Sequence, residues 1–100
     1  MTDDYSNVNL RGAVFAGRSL PGANFACANL SHADFRNANV EGADFRFANL
    51  TAADFRGART DGANFTGANI GDAQFGNGQP PAIDPGGKID TKLLDVGQST

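Results

Sequence analysis

The fold is decided by residues 28–57, which run ANLSH ADFRN ANVEG ADFRF ANLTA ADFRG when they are written in groups of five. Every group begins with alanine, continues with asparagine or aspartate, and has leucine, valine or phenylalanine third. This third position, the centre of each repeat, recurs every five residues from Leu10 to Phe75. A short and strict period of this kind predicts a repeat protein in which each unit stacks on its neighbours.

The period of five fits neither a helix nor a continuous strand. At 100° per residue, a step of five turns a helix by about 500°, so the centres would scatter around its axis. In a strand, an odd step would send successive centres to opposite faces. Of fourteen centres thirteen are apolar, and twelve of the fourteen residues two places earlier are alanine. We therefore expect short extended pieces, with alanine and centre pointing inward and the intervening asparagine or aspartate pointing outward.

Glycine and the alternation of the centres indicate how these pieces are joined. Glycine recurs at the second residue after the centre, where a tight corner often needs a positive φ. The centres alternate between aliphatic residues and phenylalanine, so the number of sides in one coil is even. Four sides give a coil of 20 residues and four consistent columns. The columns are Leu10, Leu30, Leu50 and Ile70; Phe15, Phe35, Phe55 and Phe75; Leu20, Val40 and Thr60; and Tyr5, Phe25, Phe45 and Phe65.

This arrangement resembles the pentapeptide-repeat family, whose pattern is A(D/N)LXX. The resemblance covers about three-quarters of the chain and implies an all-β fold, a right-handed quadrilateral parallel β-helix or solenoid. We expect residues 1–77 to form about 3.5 coils of four five-residue repeats. Residues 78–100 lack the repeat. We expect them to be either a C-terminal cap, in which residues 79–96 fold over Ile70 and Phe75, or a flexible tail.

Charge and composition exclude several classes of partner. The net charge is −3, yet residues 5–77 carry six acidic side chains and six arginines, so the repeats offer no basic surface for nucleic acid. No segment has the length and apolarity of a membrane span, and the N-terminal residues do not resemble a signal peptide. The single cysteine cannot form an internal disulfide. We therefore expect a cytoplasmic protein with no membrane or nucleic-acid partner.

The sequence contains no recognisable catalytic, cofactor-binding or metal-binding constellation. His32 and Cys27 both fall at corners, where side chains face water, and the repeat brings no obvious partner to either. No second histidine or cysteine stands at metal-ligand spacing. The glycines follow the corner period and do not form a phosphate-binding loop. We therefore expect a protein that is not an enzyme and binds no cofactor or metal.

The departures from the period mark the candidate interaction residues. Phe47 is a large aromatic residue at an outward corner, which indicates a partner contact or an isolated exposed side chain. Arg36, Arg56, Asp34 and Asp54 share one face, as a recognition patch or as a ladder of surface ion pairs. Together these five residues are the possible interaction surface.

The first coil has its own irregularity and its own candidate contact. Arg18 occupies an inward alanine position, where burial would be costly, so we expect it to reach solvent at an open end. Only four residues precede the first repeat, too few for a helical cap. We therefore expect a possible end-to-end homodimer through Tyr5, Leu10 and Phe15.

These observations together predict a non-catalytic protein-interaction or structural scaffold module whose partner is unknown. The family resemblance implies one alternative, because some pentapeptide-repeat proteins resemble duplex DNA in size and charge and bind type II topoisomerases. A DNA-mimicking, gyrase-binding role fits this chain less well, because its repeats are neutral and few.

Overall fold

The computed structural model describes residues 3–76, and their backbone pairing repeats every 20 residues. Eleven isolated parallel bridges join a residue to the one 20 positions later, from Asp4↔Asn24 to Asp54↔Gln74. Each bridge uses the outward residue of a repeat, so each side of a coil contributes a single bridging residue and no longer strand. This register confirms the predicted columns, because four repeats of five residues separate each residue from the one stacked on it.

The four sides are named below by one central residue each. The Phe35 side holds Phe15, Phe35, Phe55 and Phe75; the Val40 side holds Leu20, Val40 and Thr60; the Phe45 side holds Tyr5, Phe25, Phe45 and Phe65; and the Leu30 side holds Leu10, Leu30, Leu50 and Ile70. The chain visits them in this order within each coil, so the Phe35 and Phe45 sides lie opposite each other.

Hydrogen bonds between coils satisfy the backbone in a fixed pattern. The Leu30 N–H donates upward to the Asn49 carbonyl at 2.7 Å, and the Asn49 N–H donates downward to the Ala28 carbonyl at 2.9 Å. The corner joins in, because the His32 N–H donates to the Thr51 carbonyl at 2.8 Å. Since buried backbone groups must be paired, this ladder is what holds an apolar shaft of such short pieces together.

Every corner turns on a residue with positive φ. Fourteen corners have φ between 59° and 75° at their second residue, as the third residue of a type II turn requires. Seven of them are the glycines that the sequence places there, and the other seven are not glycine. The latter are Asn7, Cys27, His32, Asn37, Phe47, Ala52 and Asp72.

Two stacks of phenylalanine rings fill the shaft. Within a column the rings are parallel, as for Phe25 and Phe45 at 5.1 Å and 2°, or Phe35 and Phe55 at 4.7 Å and 4°. Between the two opposite columns they meet edge to face, as for Phe35 and Phe45 at 5.8 Å and 88°. Both arrangements are favourable for aromatic quadrupoles. Small alanines leave the room that these rings need, since Ala38, Ala43 and Ala53 are completely buried beside them.

The arginine at an inward position of the first coil, Arg18, reaches solvent as the sequence predicts. Arg18 is exposed, and its guanidinium lies 5.6 Å from the centroid of the Phe15 ring. A cation over an aromatic face is favourable, so the side chain covers the end of the Phe35 column without losing its hydration. The predicted cap or tail at residues 78–100 lies outside the described residues. Within residues 3–76 no helix is long and apolar enough to cross a membrane.

The core can be tested with one substitution made at two neighbouring positions. Phe45→Ala removes a completely buried ring from the middle of a stack and should reduce the free energy of unfolding by about 3–5 kcal/mol. Phe47→Ala removes a ring that is 65% exposed and should change the free energy of unfolding by less than about 1 kcal/mol. Chemical denaturation followed by circular dichroism measures both. Equal losses would contradict this assignment of the core.

Candidate interaction surfaces

The structure divides the interaction surface that the sequence predicts. Arg36, Arg56, Asp34 and Asp54 lie on the Phe35 side. Phe47 occupies the corner between the Phe45 and Leu30 sides, on the opposite half of the tower. One compact patch therefore cannot contain all five residues, so Phe47 and the four charged residues are two separate candidate contacts. The predicted columns already indicate this separation of Phe47 from the charged residues, because the two phenylalanine sides lie opposite each other.

The charges on the Phe35 side form a continuous ladder. Asp34 accepts bonds from Arg36 Nε and Nη2 at 3.0 and 2.9 Å, and Asp54 accepts from Arg56 Nε and Nη2 at 3.0 and 2.7 Å. Arg36 Nε also lies 3.9 Å from Asp54 Oδ2, so it links the two coils. The ladder alternates in sign, and each aspartate is engaged by the arginine two residues later.

The same aspartates also support the corners. Asp34 Oδ1 accepts the backbone N–H of Arg36 at 3.0 Å, and Asp54 Oδ1 accepts that of Arg56 at 3.0 Å. Asparagine does this elsewhere, since Asn49 Oδ1 accepts the Thr51 N–H at 3.1 Å. This is the Asx turn, in which a short polar side chain bonds its own backbone two residues on. Aspartate and asparagine are therefore equivalent as turn supports, and aspartate adds a charge that pairs with arginine.

The ion pairs shift the titration of their members. Hydrogen bonds from Arg36, Arg46 and Arg56 hold the pKa values of Asp34, Asp44 and Asp54 below their usual range, although partial burial opposes this effect. In return, these carboxylates raise the pKa of each arginine. An opposite charge favours the ionised form of both partners. The pairs therefore stay charged and mutually neutralised at neutral pH.

The arginines of the described residues all have an intramolecular contact. Arg46 pairs with Asp44 at 2.8 Å and Arg59 with Glu41 at 3.3 Å. Arg11 Nη1 donates to Ser31 Oγ at 3.1 Å, and Arg18 lies over Phe15. Phosphate recognition needs arginine or lysine donors that are available to the ligand. Residues 3–76 offer no cluster of such free donors.

Phe47 combines exposure with an unfavourable backbone conformation. Its side chain is 65% exposed and its φ is 60°. The ring lies against the backbone of Gly67 in the coil above, because a Cβ there would approach ring atoms Cδ1 and Cε1 to 2.5 and 2.6 Å. Cys27 occupies the equivalent corner one coil below. Since a bulky residue at positive φ is an outlier, the position singles itself out on structural grounds.

The remaining polar candidates form no chemical site. His32 and Cys27 are exposed corner residues with φ values of 61° and 62°. Among residues 3–76 no three side chains of histidine, cysteine, aspartate or glutamate are grouped so that they could hold a metal ion. In the same part of the chain, no buried side-chain nitrogen or oxygen lacks a hydrogen-bond partner.

The N-terminal end differs in one respect from the contact that the sequence predicts. Tyr5 and Leu10 are partly exposed there, as a contact surface requires. Phe15 is only 4% exposed, because the Tyr5 ring meets it edge to face at 5.6 Å and Arg18 covers it. The Phe15 ring is therefore mostly covered in the free chain, and its part in an end-to-end contact stays a prediction.

The family model described as "Pentapeptide repeat region" matches residues 1–65 of this chain. The chain belongs to the pentapeptide-repeat family. Members of this family are generally non-catalytic repeat scaffolds. No curated protein matched the sequence.

The solved structures that resemble this one include three pentapeptide-repeat proteins. A trypsin-treated variant of QnrB1, a plasmid-mediated fluoroquinolone resistance protein, is 27% identical with a TM-score of 0.52, over 72% of this chain and 42% of that one. The protein alr5209 from Nostoc PCC 7120 is 33% identical with a TM-score of 0.44, over 74% and 65%. HetL, involved in heterocyst differentiation regulation in Nostoc sp. strain PCC 7120, is 32% identical with a TM-score of 0.41, over 87% and 43%. The chain spans less than two-thirds of each.

The ion pairs predict how stability depends on pH. Their aspartates have lower pKa values in the folded than in the unfolded chain, so their stabilising effect is present above the unfolded value of about 3.9 and is lost as pH falls through the folded value. The melting temperature should therefore fall between about pH 5 and pH 2.5. Thermal melts followed by circular dichroism measure this.

A matched variant isolates the ion pairs from the turns. The triple substitution Asp34→Asn, Asp44→Asn and Asp54→Asn keeps the Asx turns and removes the three carboxylate–arginine pairs. Its melting temperature should be lower than that of the parent at pH 7 and should fall less on acidification. Parallel curves for the two proteins would show that these pairs carry no pH-dependent stability.

Proposed function

We propose that this chain is a non-catalytic protein-interaction scaffold of the cytoplasm, a right-handed four-sided tower of about 3.5 coils whose protein partner binds at Phe47. The observation that carries the proposal is the combination of positive φ and exposure at this residue. The charged ladder on the opposite half of the tower supports stability in this account, because its charges are already engaged with one another.

The positive φ of Phe47 destabilises the fold, and the contacts of its side chain offset this destabilisation only in part. A side chain at positive φ is disfavoured by roughly 1–2 kcal/mol, and half of the corners avoid this cost with glycine. Burial of the ring would offset the cost, but 65% of the side chain is in water. Backbone strain that local contacts offset only in part is found at positions used for recognition.

The surroundings of Phe47 suit a protein contact. Its ring rests on Gly67, so its orientation is fixed before a partner binds, and little side-chain entropy remains to be lost. Arg46 lies beside it, held by Asp44 through bonds of 3.0 and 2.8 Å. An aromatic anchor with an ordered polar rim is the usual centre of a binding hot spot. The expected partner is a protein with an apolar pocket that receives one aromatic ring.

Phe47→Gly tests this proposal, because it separates binding from folding. Glycine relieves the positive φ, so the melting temperature should stay within a few degrees of the parent or rise. Immobilised parent and variant would be compared for the proteins that they retain from cell extract, with each retained protein then purified and its affinity measured. The variant should bind at least tenfold more weakly, equivalent to about 1.4 kcal/mol.

Val14→Gly is the matched control for this experiment. Val14 is 68% exposed on the Phe35 side, so the control removes a comparable exposed apolar side chain from the opposite half of the tower. It should leave partner affinity unchanged. The proposal fails if a purified partner binds the parent and Phe47→Gly with the same affinity.

The likeness to QnrB1 favours a second candidate, binding to a type II topoisomerase as a mimic of DNA. The charges of this chain count against it, because Asp34, Asp44, Asp54 and Glu41 are each paired with an arginine. A mimic of the phosphate backbone needs negative charge that is not neutralised in this way. DNA gyrase supercoiling, assayed with and without a fluoroquinolone, should be unaffected by this protein. Inhibition of gyrase, or protection from the drug, would establish the second candidate instead.

A further inference from the structure

We infer that the N-terminal end of the tower binds a second copy of this chain through a two-fold axis, with the open edges of the two first coils paired antiparallel. The Arg18 guanidinium, which lies over the Phe15 ring, would then reach Asp3 of the other copy. This inference concerns the end of the tower and is independent of the partner proposed for Phe47.

The first coil presents a regular set of unpaired backbone groups. In the second coil, the Asn29 N–H donates to the Val8 carbonyl and the Asn29 carbonyl accepts from the Leu10 N–H, so both groups point toward the N-terminal end. The corresponding N–H and C=O groups of Asn9, Val14 and Ser19 have no partner among residues 3–76. A residue that directs both groups to one edge is what a hydrogen-bonded antiparallel pair requires. An unpaired edge of this kind favours pairing with another chain.

A two-fold axis perpendicular to the tower brings the first-coil edges of two copies together antiparallel. Turning one copy over reverses the direction in which its chain runs around the coil. Each side of one copy therefore lies antiparallel to the side of the other copy that it faces. If the axis passes through the Val40 and Leu30 sides, Asn9 lies opposite the partner's Asn9, and Ser19 lies opposite the partner's Ser19. The Phe35 and Phe45 sides then exchange, which places Val14 opposite the partner's Asp4.

Charge disfavours the alternative axis through the two phenylalanine sides. The alternative would place Asp4 directly opposite the partner's Asp4, and like charges facing each other across strands are destabilising. In the chosen register, Phe15 faces the partner's Asp3, and the Phe15 ring carries the Arg18 guanidinium at 5.6 Å. Asp3 and Arg18 are both exposed, and neither forms an ion pair within residues 3–76. The dimer would contain two identical Arg18–Asp3 pairs.

The apolar side chains at this end match the same register. Val8, which is 42% exposed, would lie opposite the partner's Leu10, and Tyr5 would lie opposite the partner's Ala13. Tyr5, Leu10 and Ala13 are all partly exposed, whereas the equivalent centres one coil higher are completely buried. Asp3 and Arg18 also differ from their equivalents in the second coil, because they are charged residues at inward positions that alanine fills there. The contact is one coil in cross-section, below the roughly 1,200 Å² of standard interfaces, so we expect a dissociation constant of about 1–100 μM.

Sedimentation equilibrium on the full chain from about 1 to 500 μM should show a monomer–dimer equilibrium in this range. Arg18→Glu would place like charges together and should weaken dimerisation at least tenfold. The double substitution Arg18→Glu with Asp3→Arg should restore most of the loss. Arg59→Glu makes the same change in charge on a later coil and should have no effect. A monomer at every concentration, or a dimer insensitive to Arg18→Glu, would overturn the inference.

Cross-linking tests the axis itself. In a Cys27→Ser background, Asn9→Cys places a thiol beside the axis, and a short bismaleimide should join two chains. Asn69→Cys in the same background is the matched control, because it lies on the same side three coils higher and should not cross-link. Cross-linking through position 69 and not through position 9 would mean that copies meet at the other end, which contradicts the inference. Circular dichroism would check that each variant is folded.

Discussion

The register of 20 residues is the constraint on which the rest of the structure depends, because it sets each phenylalanine ring on another. Rings stacked at about 5 Å are separated by roughly the distance between neighbouring β-strands, so aromatic stacking and backbone pairing agree on one spacing. Opposite columns then interlock edge to face along the whole shaft. The alanines follow from this, since four inward-facing sides leave no room for larger residues between the rings.

Because most outward side chains of the repeats already bond within the chain, little of the surface is free for recognition. The outward asparagines and aspartates support turns, and four of the arginines are engaged by carboxylates. A partner therefore has to use positions that depart from the rule. Phe47 departs from it by placing a large exposed aromatic side chain at a corner, and Asp3 and Arg18 depart from it by placing charge where alanine belongs. The side and the end of the tower thus offer two separate contacts, one with an apolar anchor and one with complementary charges.

The period made most of the fold predictable, because each repeat obeys the same local and long-range requirements. Alternation of leucine and phenylalanine predicted an even number of sides, and the columns together with the family resemblance predicted four. The glycine corners were found with positive φ. The seven corners with positive φ at residues other than glycine follow from the period alone, because residue type would not have placed that conformation at Phe47 or Ala52. The burial of Phe15 depends on where the flexible Arg18 side chain settles, which the repeat does not specify. The columns already indicate that Phe47 and the charged ladder lie on different sides of the tower and are separate candidate contacts.

Amide hydrogen exchange by NMR tests the register most directly. Asn29, Asp34 and Asn39 donate to the coil below, so their amides should exchange slowly. Asn9, Val14 and Ser19 occupy the same positions one coil earlier and lack an acceptor within residues 3–76, so at concentrations well below dimerisation their amides should exchange rapidly. A difference of at least a hundredfold in protection between the two sets is the expected result. Equal protection of both sets, or a pattern without a period of five, would contradict the stacked 20-residue coil.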